Sequence, residues 1–82
     1  MKFRKKVIVE AIQWFPGMNI PWVKECGMKL PESERIGKIW NKILDRELEV
    51  EPGDWIIEAE KGDRYPCKAE IFERTYDMVK DD

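Results

Sequence analysis

The sequence predicts a small α+β domain built on a mostly antiparallel sheet of four to five strands, with one central helix and a short C-terminal helix. Three observations predict it. Val7-Ile8-Val9-Glu10-Ala11-Ile12-Gln13-Trp14 is a β-branched, aromatic run that Phe15-Pro16-Gly17 ends. Pro52-Gly53 and Lys61-Gly62 punctuate the last third as turns between short strand-like segments. The 82 residues make one domain, 1–82, whose 39% charged and 43% apolar residues mark a globular chain.

Along the first strand, Val7, Val9, Ala11 and Gln13 share one face and Ile8, Glu10, Ile12 and Trp14 the other. Both faces are mostly apolar, so the strand is expected to be central and covered on both sides. Residues 20–28 read as a short helix. Pro21 suits its first position, Trp22, Val23 and Cys26 recur at helical spacing, and Gly27 ends it. Residues 30–35 are a polar connection.

Residues 36–50 carry two patterns. Ile36, Ile39, Trp40, Ile43 and Leu44 follow amphipathic helical spacing, which Gly37 and the β-branched isoleucines weaken. The alternative is a hairpin of strands 38–44 and 47–51 around Asp45-Arg46, in which Leu48 and Val50 alternate with Glu47, Glu49 and Glu51. The hairpin is the expectation adopted. After Pro52-Gly53, residues 55–60 form a strand with Trp55, Ile57 and Ala59 inward, and Lys61-Gly62 turns the chain. Residues 64–68 return as an edge strand, because Pro66 cannot donate to a ladder. Residues 69–74 make a short helix that packs through Ile71, Phe72 and Thr75, and residues 76–79 are read as extending back along the sheet.

The chemistry of the sequence is narrow. It has no histidine, which removes Ser-His-Asp and Cys-His pairs, HExxH zinc sites and His general bases. Cys26 and Cys67 stand far apart with no CxxC, and read as reduced thiols. No signal peptide or membrane span is read. The net charge of −2 offers no general attraction to nucleic acid or anionic lipid. Neither a cofactor nor a metal is called for.

Tyr65-Pro66-Cys67-Lys68 is the sharpest candidate site. As a ligand edge, Tyr65 is an aromatic platform and Lys68 an anion contact. As structure, which is the preferred reading, it is a kinked edge strand with Cys67 in the core and Lys68 solvated. Asp54, behind a Pro-Gly turn, is read as fixing that turn through nearby backbone amides. Trp14, Trp22, Trp40 and Trp55 are read first as core, with Trp22 and Trp40 the better candidates for an exposed platform. Arg4-Lys5-Lys6 is read as a solvated arm, and Glu47, Glu49 and Glu51 as a solvent face.

The C-terminal block also carries a resemblance. Pro52-Gly53-Asp54-Trp55-Ile56-Ile57, Gly62, Tyr65-Pro66-Cys67-Lys68, Ile71-Phe72-Glu73 and Thr75-Tyr76 resemble a family of small bacteriophage and prophage proteins. Its pattern runs PGD(W/Y)II, a hairpin, GEFYPCKPDIFE, one variable residue and TYE. Arg4-Lys5-Lys6 and Glu10-Ala11-Ile12-Gln13-Trp14 look like that family's opening. Asp63-Arg64, Ala69-Glu70 and Asp77 depart from it. The resemblance implies phage origin and a cytoplasmic site of action, supports the hairpin at 38–51, and implies no chemistry.

The function expected on these grounds is a non-catalytic phage accessory binding protein. One form sequesters a nucleotide-derived immune signal of the host, with Tyr65, Lys68, Trp40 and Arg64 as ligand contacts. The alternative is a protein–protein inhibitor docking a host defence or metabolic enzyme by Glu47, Glu49 and Glu51 or by an exposed edge. A nucleotide-acting enzyme ranks third and direct DNA binding fourth. Edge strands and aromatic density allow a homodimer or higher oligomer.

Overall fold

A computed structural model describes residues 9–76. Six strands form two antiparallel three-stranded sheets: β1 (Glu10–Gln13), β5 (Trp55–Glu58) and β6 (Arg64–Cys67) in one, β2 (Val23–Cys26), β3 (Ile36–Asn41) and β4 (Arg46–Val50) in the other. One helix, α1 (Ala69–Thr75), follows β6, and a single 3-10 turn spans Glu32–Glu34. The α+β class is therefore as expected. The single sheet of four to five strands is corrected to two sheets of three.

The expected central helix over 20–28 is also corrected. Pro21 starts a turn closed by the Val23 amide on the Ile20 carbonyl at 3.0 Å. Residues 23–26 then pair with β3, Val23 opposite Ile39 and Cys26 opposite Ile36. The spacing of Trp22, Val23 and Cys26 is too short a pattern to outweigh a ladder made with a distant strand. Gly27, at φ +80°, does end the element.

The hairpin expected over 38–51 is present, with Lys38 opposite Glu49 and Trp40 opposite Glu47, but its turn is corrected: β3 ends at Asn41, residues 42–45 turn, and Arg46, expected in the turn, opens β4 opposite Asn41. Gly37 has a packing reason: a Cβ there would stand 3.2 Å from the Trp14 ring and 3.0 Å from a Val23 methyl. In the first sheet β5, not the opening strand, is central. Among the described residues β1 pairs only with β5, and Glu10 and Ile12 are exposed. The other side of β5 is taken by its own hairpin partner β6. Val7 and Ile8 lie outside the described residues. β6 is an edge strand, as Pro66 requires.

Trp14, Ile39, Val50 and Ile56 are fully buried between the sheets, with Ile20, Trp22, Val23 and Leu48 packed against them. Ile57 is buried on the opposite face of β5, so that strand is covered on both sides. On that opposite face Trp55 stacks on Phe72 of α1, rings 4.3 Å apart and 10° from parallel, and Phe72 stacks on Tyr76 at 5.0 Å. Phe72 is thus the helix's packing residue, whereas Ile71 and Thr75 are exposed. Ala59, expected inward, is exposed beyond the end of β5. Tyr76 caps α1, and residues 77–79 lie outside the described residues.

Candidate functional site

β6 distributes the predicted site residues by simple alternation. Arg64 and Pro66 point to the face shared with the second sheet, and Tyr65 and Cys67 to the face that α1 covers. The adjacent members of the motif therefore cannot converge on one ligand.

Arg64 stands at a groove of about 260 Å³ lined by Glu10, Ile12, Trp22, Ile56 and Glu58. Its Nε donates to Glu58 Oε2 at 2.9 Å, and its guanidinium carbon lies 4.3 Å from the centre of a Trp22 ring. A contact of that kind contributes about 0.5–1 kcal/mol when exposed. Glu58 is directly opposite Glu10 on β1. The groove thus sets two carboxylates against one guanidinium, which disfavours a phosphate-bearing occupant.

Lys68 lies at a second, shallower concavity with Gln13, Pro52, Gly53 and Glu70. Its ammonium pairs with the Glu51 carboxylate and lies 3.4 Å from Asp54 Oδ1. The hydrogen bond to Glu51, then the charge of Asp54, raise its pKa above the ordinary 10.5. Two carboxylates hold this cation, so it is ion-paired rather than simply solvated, and Cys67 beside it is half-buried rather than in the core.

Asp54 does what its turn position suggests. It is 6% exposed, and its Oδ2 accepts the Glu51 amide at 3.0 Å. Gly53, at φ +91°, gives the Pro-Gly turn its shape. The turn is stitched to the first sheet by the Trp14 amide on the Asp54 carbonyl and the Gly53 amide on the Trp14 carbonyl. Gln13 Nε2 adds a bond to the Gly53 carbonyl at 3.0 Å.

Tyr65 is half-buried under the end of α1. Burial, then the neighbouring Tyr76 hydroxyl, push its phenol above the ordinary 10.0, so it stays protonated at neutral pH. Trp40 is elsewhere: it is 54% exposed on the outer face of β3, away from Trp14 and the shared core. Of the four predicted ligand contacts, Arg64 and Lys68 line different concavities, and Tyr65 and Trp40 line neither of those two.

Sequence reasoning missed two features. Trp22 serves as the platform for Arg64 rather than for a ligand. Asn41, fully buried, joins the sheets: its Nδ2 donates to Asp63 Oδ1 and to the Arg64 carbonyl, each at 2.9 Å, and its Oδ1 accepts the Leu44 amide at 2.8 Å. An Asn closing an apolar strand just before a turn was the available signal. Beside it the Lys42 amide donates to the Gly62 carbonyl at 2.8 Å.

Among the described residues, three large apolar side chains are more than half exposed in the β3–β4 hairpin. Ile43 and Leu44 in its turn are 59% and 55% exposed, beside Trp40. Glu47 and Glu49 lie on the outer face of β4, with Glu47 3.6 Å from Lys38 Nζ. Glu51, expected to share their face, turns instead to Lys68.

Among the described residues no three His, Cys, Asp or Glu side chains group as metal ligands, and no helix is long and apolar enough to cross a membrane. Cys26 and Cys67 are free thiols. Comparison with known proteins matches the chain to no family model, no curated protein and no solved structure.

Proposed function

We propose that this chain is a non-catalytic accessory binding protein of bacteriophage or prophage origin that acts in the host cytoplasm by contact with a host protein. The origin rests on the resemblance carried by Pro52-Gly53-Asp54-Trp55-Ile56-Ile57 and Tyr65-Pro66-Cys67-Lys68. One observation carries the mode of action: three large apolar side chains, Trp40, Ile43 and Leu44, stand more than half exposed in one hairpin. Solitary exposed apolar residues need no explanation, whereas three in one hairpin suit a partner's apolar slot. The acidic side chains of β4 beside the tip fit a slot with a basic rim. The cations at both concavities are held in ion pairs, which further supports a surface contact over capture of an anion.

Sequestration of a nucleotide-like host molecule is the second reading. The Arg64–Trp22 stack speaks for its base, since an aromatic ring could replace the guanidinium on the indole, while Glu10 and Glu58 beside it speak against its phosphate. Native mass spectrometry of the protein purified from its bacterial host separates the two. The expected result is a protein adduct that disappears in the I43S/L44S variant. A nucleotide-sized mass released on denaturation, with that variant unaffected, overturns the protein-contact reading in favour of sequestration.

A further inference from the structure

The outer face of the second sheet is polar at its margins and divided by charge. Alternation places Lys24 and Cys26 of β2, Ile36, Lys38 and Trp40 of β3, and Glu47 and Glu49 of β4 on this face. Lys24, Lys38 and Glu49 form one level row across the three strands. One edge strand is therefore basic and the other acidic, with apolar Ile36 and Trp40 on the strand between. Lys24 and Glu49 are both exposed, and among the described residues neither is in an ion pair.

We propose that this face binds a second copy of the chain, around a two-fold axis running along β3 between the facing sheets. Rotation about that axis lays β2 of each copy over β4 of the other and keeps the row level. Lys24 then meets Glu49 of the second copy, and Glu49 meets its Lys24, so the contact is satisfied twice. Trp40 meets Trp40 at the axis and is withdrawn from water. Lys38, the one charged side chain on that face that would meet its like, is drawn toward β4 by its ion pair with Glu47. The other in-plane axis, across the strands, would lay lysine on lysine and glutamate on glutamate. Charge complementarity selects the first. Facing sheets stand about 10 Å apart and cross at about 30°, a gap that a Lys and a Glu side chain bridge together.

The size of the face sets the strength. Three strands spaced by about 4.8 Å and about 3.3 Å per residue along β3 give a face of roughly 300 Å² per copy. That is small for a specific interface. The dimer is accordingly weak and is weakened by salt. Because the axis runs along β3, both β3–β4 turns emerge at the same end of the dimer, where Ile43 and Leu44 of each copy form one paired apolar end while Trp40 is taken up by the dimer contact. This last consequence rests on the host-contact reading above; the dimer itself does not.

Sedimentation velocity from about 1 µM to about 1 mM in low salt tests it, on a range suited to a weak dimer. The wild type is expected to dimerise, and K24E and E49K each to weaken dimerisation by at least about ten-fold. An equimolar mixture of K24E and E49K regains wild-type affinity, since each copy then carries one sign at both positions. The K24E/E49K double variant regains it as a homodimer. Both sites are exposed, so the variants fold, and circular dichroism verifies it. A wild type that stays monomeric throughout overturns the proposal. So does a dimer indifferent to both reversals, as an edge-to-edge pairing would be, or a mixture that fails to recover. None of these outcomes depends on whether I43S/L44S loses a host partner.

Discussion

The first sheet with α1 and the second sheet use similar residues to opposite ends. In the first, charged and aromatic side chains are consumed internally: Lys68 by Glu51 and Asp54, Arg64 by Glu58 and Trp22, Trp55 by Phe72. In the second, Trp40, Ile43, Leu44, Lys24 and Glu49 stand on the surface without such partners among the described residues. The difference teaches that a dense motif is not by itself a binding site. The PGDW and YPCK segments are recognisable because their turns and pairings demand particular residues. The surface able to meet another molecule lies where the fold demands less.

The comparison breaks most severely at the residue that both regions share. Trp14 follows β1 yet is fully buried against Ile39 and Val50 of the second sheet, its ring beside Gly37. Trp14→Ala should cost about 3–5 kcal/mol, the usual range for emptying a buried aromatic site. For a chain of this size about 1 kcal/mol corresponds to about 4–8 °C in Tm, so the variant's Tm should fall by about 12–40 °C. Thermal unfolding followed by near- and far-ultraviolet circular dichroism checks this. Loss of tertiary signal from only one sheet would show two separable cores.

A smaller effect sharpens the boundary between the regions. Asn41 belongs to β3 but spends its amide on Asp63 and the Arg64 carbonyl of the other sheet. Asn41→Ala leaves the Arg64 carbonyl and the Leu44 amide without that partner, at about 1–3 kcal/mol. Hydrogen exchange should accelerate first at Leu44 and across β6, while the β1–β5 ladder stays protected. Uniform acceleration would mean that the two sheets open as one unit.

These residues also show what the sequence could carry. The turn at Pro52-Gly53-Asp54 was legible because its requirements are local: a fixed φ at Pro52, a positive φ at Gly53, and an Asp carboxylate three residues from the amide it accepts. The edge position of β6 was legible from Pro66, and the β3–β4 hairpin from alternation at Leu48 and Val50. Residues 20–28 were not. Their short run fits a helix as well as a strand, and the ladder to β3 that decides between them is made with residues ten to sixteen positions away. Division into two sheets escaped for the same reason, since it turns on which side of β5 each strand takes. For the site, the residue types were readable but their convergence was not: alternation along β6 parts Arg64 from Tyr65.

The gentlest test concerns the charges held inside the first region. Tyr65 and Lys68 both have pKa values raised above their ordinary 10.0 and 10.5, the phenol chiefly by burial and the ammonium chiefly by Glu51. Folding therefore favours the protonated form of each. Their contribution to stability is whole below the ordinary values and is lost as pH climbs through the raised ones. Urea midpoints should be level from about pH 8 to about pH 9.5 and fall beyond about pH 10.5. Tyr65→Phe should remove the phenol's share of that fall and Lys68→Met the ammonium's, with the two shares close to additive if they are separate. The slope should be shallow, because Lys68 is well exposed and its pairs are screened by solvent. An alkaline decline unchanged in both variants would place its origin outside this region, and would remove the argument that Lys68 is engaged rather than waiting for a ligand.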